Sequence, residues 1–119
     1  MDLLQQHCRP MSGAPLGGAE LADLLARVPQ WSVVDGALQR TLRFADFHRT
    51  MAFVNAVADI AHREDHHPEL HVGWGHCTVR LHTHAVGGLT RNDFICAAHI
   101  DARVDAHADA LPVTDAPAS

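Results

Sequence analysis

The stretch HREDHHP, residues 62–68, interrupts an amphipathic run and fixes how the rest of the chain can be arranged. Seven of the eleven histidines fall between His62 and His84. An unperturbed imidazole has a pKa of about 6.5, so such a cluster in a small domain indicates either proton transfer or metal binding. Pro68 disfavours helical geometry at the residue before it. His66 and His67 are therefore predicted to project from a turn, in different directions.

Before this turn, the sequence predicts one helix at 19–28, ended by Pro29, and a second helix at 46–62 with Asp46 as its N-cap. The predicted buried stripe of the second helix follows 3.6-residue spacing and comprises Phe47, Met51, Val54, Ala58 and Ala61.

Between these helices, Asp35-Gly36 is typical of a tight two-residue turn joining strands at 31–34 and 37–45. Arg40 interrupts the apolar face of the second strand. It is therefore predicted to lie at an edge or toward solvent.

After the turn, residues 70–74 and 76–84 are predicted to form a second strand pair. Apolar and polar residues alternate along the later strand, which places His84 at its C-terminal end on the polar face. The residues Thr90-Arg91-Asn92-Asp93 resemble a capping box that begins a third helix. The apolar face of that helix comprises Phe94, Ala97, Ile100 and Val104.

The order α-β-β-α-β-β-α predicts an α+β two-layer domain, in which three helices pack on one face of a four-stranded antiparallel sheet. The domain is expected to span 18–104. Segments 1–17 and 105–119 are expected to be disordered, because Gly13, Pro15 and Gly17 interrupt any periodicity in the first and the second is rich in alanine, aspartate and proline. Met11 is an alternative start.

Composition excludes several classes of protein. A formal charge of −5 and the absence of lysine argue against non-specific nucleic-acid binding. No apolar run reaches the roughly 20 residues of a membrane span, and the N-terminus lacks a signal-peptide pattern. Cys8, Cys77 and Cys96 fit neither a disulfide framework nor a zinc finger, and the last two are predicted to be small core residues. A reducing, cytoplasmic location is expected.

General acid–base catalysis needs a proton donor and an acceptor on opposite sides of a substrate. His66 or His67 at the turn, with His84 on a separate element, could provide that pair around a flat molecule. His62, Asp65 and Asp93 are candidates for fixing a tautomer or a pKa. The alternative is a zinc hydrolase, in which His62 and His66 bind the metal at i, i+4 spacing and His84 is a third ligand.

The sequence also resembles the pterin-4a-carbinolamine dehydratase family. The resemblance rests on His62, His66-His67-Pro68, Trp74, His84 and Asp93 at the family's spacing, and runs from about 16 to 104. It implies dehydration of 4a-hydroxytetrahydropterin (4a-hydroxytetrahydrobiopterin) to quinonoid dihydropterin. This reaction recycles the cofactor of aromatic amino-acid hydroxylases and needs no metal or cofactor, because the pterin is the substrate.

The resemblance further implies that His66, His67 and His84 are catalytic and that Trp74 and Asp93 line or support the pocket. It implies a homodimer or homotetramer, and a pterin-dependent hydroxylase as a partner. A non-catalytic dimerisation or assembly module on the same fold is the alternative function. Two positions depart from the better-known members: His62 replaces a glutamate, and Asn92 replaces an arginine. Arg91 lies one residue earlier, a rotation of about 100° on a helix.

Overall fold

The computed structural model describes residues 2–106 and 113–115. The elements it contains there are three α-helices, five strands and two short 3₁₀ helices. The α-helices are α1 (Gly18–Arg27), α2 (Phe47–Glu64) and α3 (Arg91–Ala106). The strands are β1 (Ser32–Val34), β2 (Ala37–Phe44), β3 (Glu69–Val72), β4 (His76–Leu81) and β5 (Val113–Asp115). The 3₁₀ helices are Leu3–Gln5 and His84–Val86.

The strands form one antiparallel sheet in the order β1-β2-β4-β3, with β5 also paired to β2. The predicted α+β fold and its element order are confirmed. The structure differs from the prediction at the C-terminus, because α3 continues to Ala106 and β5 pairs with Leu42–Phe44 inside the segment expected to be disordered. The rest of that predicted tail, 107–112 and 116–119, lies outside the described residues.

The predicted turn between β1 and β2 is present. Asp35 and Gly36 have φ angles of 48° and 79°. Two consecutive positive φ values are what a primed turn requires, and they match the twist of the flanking strands.

One face of the sheet is apolar and covered, and the other is polar. Leu38 and Leu42 of β2 and Val79 of β4 are fully buried, in one cluster with residues of all three α-helices. On the opposite face, Thr41 and Thr78 are paired across the strands through their hydroxyls at 2.7 Å. The helices therefore pack on a single face, as predicted.

The predicted buried stripe of α2 is confirmed only in part. Ala61 is buried and Val54 is partly buried against the core, but Phe47 is 49% exposed and Ala58 is exposed. The buried face of the helix instead contains Phe53, Val57 and Ile60. Both stripes have helical spacing, so periodicity alone does not choose between them. The N-cap prediction is confirmed, since Asp46 Oδ1 accepts the Arg49 N–H at 2.8 Å. The helix is consequently apolar on a second, partly exposed side.

The prediction for Arg40 was also wrong. Its side chain is only 9% exposed and forms an ion pair with Asp101 of α3. The Trp31 indole N–H donates to the same carboxylate oxygen at 2.9 Å. Burial raises the pKa of Asp101 above its ordinary value, although the bonds from Trp31 and Arg40 oppose that change. The arginine side chain points inward because its partner, Asp101, lies on the helix packed against the sheet. The alternation of residues along a strand cannot reveal such a partner.

The N-terminal segment packs on the domain, in contrast to the disorder expected for 1–17. Leu3 belongs to the core cluster. The Cys8 N–H donates to Glu64 Oε1 at 2.8 Å, and the Leu16 N–H donates to the Leu89 carbonyl at 2.9 Å. The segment thus contacts α2 and the loop before α3. Within the described ranges, the structure contains no helix of the length and apolarity needed to cross a membrane.

Candidate active site

The C-terminal cap of α2 determines the direction in which His66 and His67 project. Asp65 follows the helix in the left-handed conformation, with φ 51° and ψ 44°, which aspartate tolerates better than most residues. The N–H groups of Asp65 and His66 both donate to the Ala61 carbonyl. This cap ends the helix and turns the chain sharply, so His66 and His67 project from a turn, as predicted, before β3 begins.

Asp93, in the first turn of α3, anchors His66. The carboxylate is fully buried, and its Oδ1 lies 2.6 Å from His66 Nε2. A carboxylate can only accept, so Nε2 carries the proton and donates. This bond fixes the tautomer and leaves Nδ1 as the nitrogen of His66 with a lone pair, as a base requires.

The second oxygen of Asp93 is also occupied. Oδ2 accepts the Thr90 backbone N–H at 2.9 Å and the Thr83 hydroxyl at 3.0 Å. The Thr90 bond is the capping-box contact that the sequence predicts. Asp93 therefore caps α3 with one oxygen and orients His66 with the other.

Thr83 brings His84 into this arrangement, because the two residues are adjacent in the chain. The sequence predicted that His84 ends a strand, and this was wrong. The strand β4 ends at Leu81, and His84 begins a 3₁₀ helix. Gly87 closes that helix with φ 68°. Gly88 then passes so close to Pro15 that a Cβ at this position would lie 2.9 Å from its ring. These contacts hold the loop that carries His84.

The three imidazoles differ in accessibility. The His66 side chain is 11% exposed, whereas His67 and His84 are exposed. Among residues 2–106, neither the His67 ring nor the His84 ring makes a hydrogen bond. Both rings are therefore accessible to a molecule in solution, whereas the orientation of His66 is fixed by Asp93.

His82 is a neighbour that the sequence analysis left outside the site. Its ring lies edge-on to that of His84, with centroids 4.0 Å apart and planes at 65°. The alternation of apolar and polar residues placed His82 and His84 on the same face of the predicted strand. This shared face was the one indication in the sequence that His82 belongs near the site.

The structure does not bring Trp74 to His66, His67 or His84 of its own chain. Trp74 lies in the turn joining β3 to β4, whereas His67 precedes β3 and His84 follows β4. The length of β3, roughly 13 Å at 3.3 Å per residue, separates the two ends of this hairpin. The indole is 67% exposed, and its backbone carbonyl accepts the Thr50 hydroxyl at 2.9 Å.

His62 and Asp65 lie near the turn but do not contact the anchored imidazole. Both are exposed, and within residues 2–106 neither side chain forms a hydrogen bond or an ion pair. His62 belongs to the last turn of α2, which ends at Glu64. Because His66 lies beyond the helix end, His62 and His66 lack the helical i, i+4 geometry on which the zinc alternative depended.

Glu64, between them, binds the N-terminal segment instead of the histidine trio. Its oxygens accept the Cys8 N–H at 2.8 Å, His7 Nδ1–H at 2.9 Å and Arg63 Nε–H at 3.2 Å. Burial raises the pKa of this carboxyl, but the three bonds outweigh it and lower the pKa to about 2. The residue is therefore ionised across the physiological range.

The same region contains a group of side chains with metal-ligand chemistry. His7, Glu64 and His99 each offer one ligand atom within 4.8 Å of the others. Arg63 already contacts both Glu64 Oε2, at 3.2 Å, and His99 Nδ1, at 3.5 Å. The guanidinium thus supplies the positive charge there, and this group shares no residue with the trio of His66, His67 and His84.

Comparisons with known proteins identify a family and several relatives. Residues 14–103 match the family model described as pterin 4 alpha carbinolamine dehydratase. A Xanthomonas campestris pv. campestris (strain 8004) protein with the provisional name pterin-4-alpha-carbinolamine dehydratase is 56% identical over 102 residues, covering 82% of this chain and 86% of the relative. A Stenotrophomonas maltophilia (strain K279a) protein with the same provisional name is 55% identical over 104 residues, covering 84% and 90%.

A solved structure shows the same fold. The crystal structure of a transcriptional coactivator/pterin dehydratase from Brucella melitensis superposes with a TM-score of 0.70 at 31% sequence identity. The match covers 74% of this chain and 96% of that one.

Proposed function

Because the chain belongs to the pterin 4 alpha carbinolamine dehydratase family, we propose that it dehydrates 4a-hydroxytetrahydropterin to quinonoid dihydropterin and water. The 4a-hydroxytetrahydrobiopterin released by aromatic amino-acid hydroxylases is the substrate we expect. The observation that carries this proposal is the Asp93 carboxylate, which joins His66 to the Thr83 hydroxyl directly before His84.

In the proposed reaction, one imidazolium protonates the 4a-hydroxyl, and the C4a–O bond breaks to release water. A second, neutral imidazole removes the proton from N5, and the C4a=N5 double bond forms. His66, His67 and His84 are the three groups assigned to these transfers, each of which is worth roughly 10²–10⁴ in rate.

Asp93 supports this chemistry without touching the substrate. It holds one imidazole in a single tautomer at 2.6 Å, so the ring need not be reoriented during the reaction. Fixed groups of this kind lower the reorganisation cost of the transition state.

The proposed mechanism uses no metal and no cofactor, since the pterin is the substrate and both proton transfers belong to side chains. A pterin-dependent hydroxylase is the proposed partner in the cytoplasm, because it would supply the carbinolamine. A contribution of Trp74 to substrate binding would have to come from another subunit of a homodimer or homotetramer.

A coupled assay tests the function. A pterin-dependent hydroxylase is run with excess dihydropteridine reductase and reductant and with only a catalytic amount of tetrahydropterin, so that breakdown of the carbinolamine controls turnover. Addition of this protein should raise the steady-state rate in proportion to its concentration. A rate that stays at the spontaneous value at every protein concentration would overturn the proposal.

The second candidate is a non-catalytic binding module on the same fold, favoured by the coactivator name of the Brucella melitensis structure. The histidine trio discriminates between the two functions. A binding module would keep its partner when His66 and His84 are both replaced by alanine, and wild-type protein would not accelerate carbinolamine breakdown.

A further inference from the structure

Two cysteines that are 88 residues apart in sequence meet at the N-terminal segment. Cys8 Sγ lies 3.5 Å from Cys96 Sγ on α3, and both thiols are free. A disulfide has an S–S bond of about 2.05 Å, so the sulfurs need to approach by roughly 1.5 Å. Rotation of one side chain about its Cα–Cβ bond can supply a movement of that size.

The backbone on both sides of Cys8 is already held against the helices. Its N–H donates to Glu64 Oε1 at 2.8 Å. The following residue, Arg9, exchanges two hydrogen bonds with the Asn92 side chain, at 3.2 Å from the Arg9 N–H and 2.7 Å to the Arg9 carbonyl. Folding has therefore brought the two thiols together, and little further chain entropy is lost on linking them.

The two thiols differ in access to a reagent in solution. Cys8 is half-buried and lies outside any helix or strand, whereas Cys96 is buried within α3. The adjacent Cys8 thiol and burial both raise the pKa of Cys96, and the Glu64 and Asp93 carboxylates act in the same direction. Cys8 is thus the sulfur that an oxidant reaches first.

We propose that Cys8 and Cys96 are an oxidation site, at which a hydroperoxide converts the two thiols into an intrachain disulfide. The Cys8 thiol gives up its proton and the sulfur attacks the peroxide: an S–O bond forms, the O–O bond breaks, and the departing alkoxide or hydroxide takes up the proton that Cys8 released. Cys96 sulfur then attacks Cys8 sulfur as the S–O bond breaks. Water leaves with the Cys96 proton, the two thiols have lost two electrons, and the hydroperoxide has been reduced.

The product ties the N-terminal segment to α3 covalently. The link closes a loop of nearly ninety residues, and long loops are those in which a cross-link restricts the unfolded chain most. It leaves Asp93 and the histidines untouched. The oxidised protein should therefore resist unfolding better than the reduced protein.

Mass spectrometry of the whole protein, treated with about one equivalent of hydrogen peroxide, tests the site. The wild-type chain should lose two hydrogen atoms in mass. After alkylation and tryptic cleavage, the peptide containing Cys8 should be joined to residues 92–103, and residues 64–80, with Cys77, should be fully alkylated. Dithiothreitol should reverse the change, and the unfolding midpoint of the oxidised form should be higher by at least about 5 °C.

Two variants provide matched controls. Cys77→Ala removes a cysteine that is also buried, and should leave the cross-link and the shift in midpoint intact. Cys8→Ser should abolish both. Oxidation of Cys8 to a sulfinic acid while Cys96 remains alkylatable, a link to Cys77, or a covalent dimer in place of the intrachain link would each overturn the proposal.

Discussion

Asp93 shows how one residue can serve two purposes at once. The sequence offered two interpretations of it, a helix cap and a member of the site, and the two oxygens of the carboxylate satisfy both. Capping-box spacing made the first visible. The second depends on the turn after α2, whose direction is set by the left-handed Asp65, and no local pattern specifies where that turn lies in space.

Replacement of Asp93 with asparagine tests this dual role. The asparagine amide has the same shape as the carboxylate, but its NH₂ group cannot accept a hydrogen bond. Either the bond from His66 or the bonds from Thr83 and Thr90 are therefore lost. We expect kcat to fall by about 10–100-fold with KM within threefold, together with a lower unfolding midpoint.

Steady-state kinetics and thermal unfolding of the same samples check the result. Asp59→Asn, at an exposed position on α2, is the control and should change neither quantity. An unchanged kcat in Asp93→Asn would show that the bond to His66 has no part in the reaction.

Among the elements, α2 was predicted well at its N-terminus and less well in its burial. Asp46 is a capping residue whose chemistry is local, and Pro68 restricts its own neighbour. The choice between the two apolar stripes depended on where the sheet and α3 lie, which is tertiary information. The same limit applied to Arg40, whose partner Asp101 is on α3, and to His84, where a 3₁₀ helix replaced the end of a strand.

The hydrogen bonds of Glu64 on α2 to Cys8 and His7 of the N-terminal segment should make stability depend on pH. The pKa of Glu64 in the folded protein, about 2, lies below its ordinary value of 4.5. The carboxylate therefore stabilises the fold fully above about pH 4.5, and this contribution disappears as the pH falls toward 2. The shift corresponds to at most roughly 3 kcal/mol.

Urea unfolding of wild type and Glu64→Gln at pH 7 and pH 3 measures this contribution. The variant should be less stable by up to roughly 3 kcal/mol at pH 7, and the difference should shrink at pH 3. The exposed Glu20→Gln serves as the control. If wild type and variant differ in free energy of unfolding by the same amount at both pH values, the lowered pKa of Glu64 does not stabilise the fold.

The ion pair between Arg40 on β2 and Asp101 on α3 should contribute more to the free energy of unfolding than an ion pair on the surface. Arg40→Ala leaves the Asp101 carboxylate buried without its cation, and we expect it to lower the free energy of unfolding by about 3 kcal/mol. Arg27→Ala removes an exposed partner of Asp23 and should cost less than about 1 kcal/mol. Denaturant titration of both variants provides the comparison, and equal losses would refute a special role for the buried pair.

For the whole molecule, composition and hydrophobic pattern were sufficient for the α+β class and the element order. They did not indicate that the N-terminal segment packs on the domain, because glycine and proline interrupt its periodicity and its anchors, Glu64 and Asn92, are distant in sequence. The pairing of β5 was missed for the same reason. Contacts between distant segments are where local sequence patterns carry least information.

Self-association is expected at the level of the whole molecule. Among residues 2–106 and 113–115, β3 pairs with β4 alone, and its outer edge can pair with another chain. Val72 on β3 is 42% exposed, and Val33 on the shorter β1 is 41% exposed. We expect the wild-type protein to have at least twice the 12.9 kDa chain mass, and Val72→Lys to shift it toward the monomer. Val33→Lys, the matched control, should not do so.

Size-exclusion chromatography with light scattering measures these masses. A monomeric wild type, or a Val72→Lys variant with unchanged mass at micromolar concentration, would exclude pairing through β3.

His66 and His84 are proposed to transfer protons on the same substrate. Rapid mixing of 4a-hydroxytetrahydropterin with wild type, His66→Ala, His84→Ala and the exposed α2 control His48→Ala, followed by absorbance, measures the dehydration rate of each. We expect His66→Ala and His84→Ala, folded as judged by circular dichroism, to dehydrate the carbinolamine at least about 100-fold more slowly than wild type, with His48→Ala unchanged. Rates within threefold of wild type in both His66→Ala and His84→Ala would refute proton transfer by this pair.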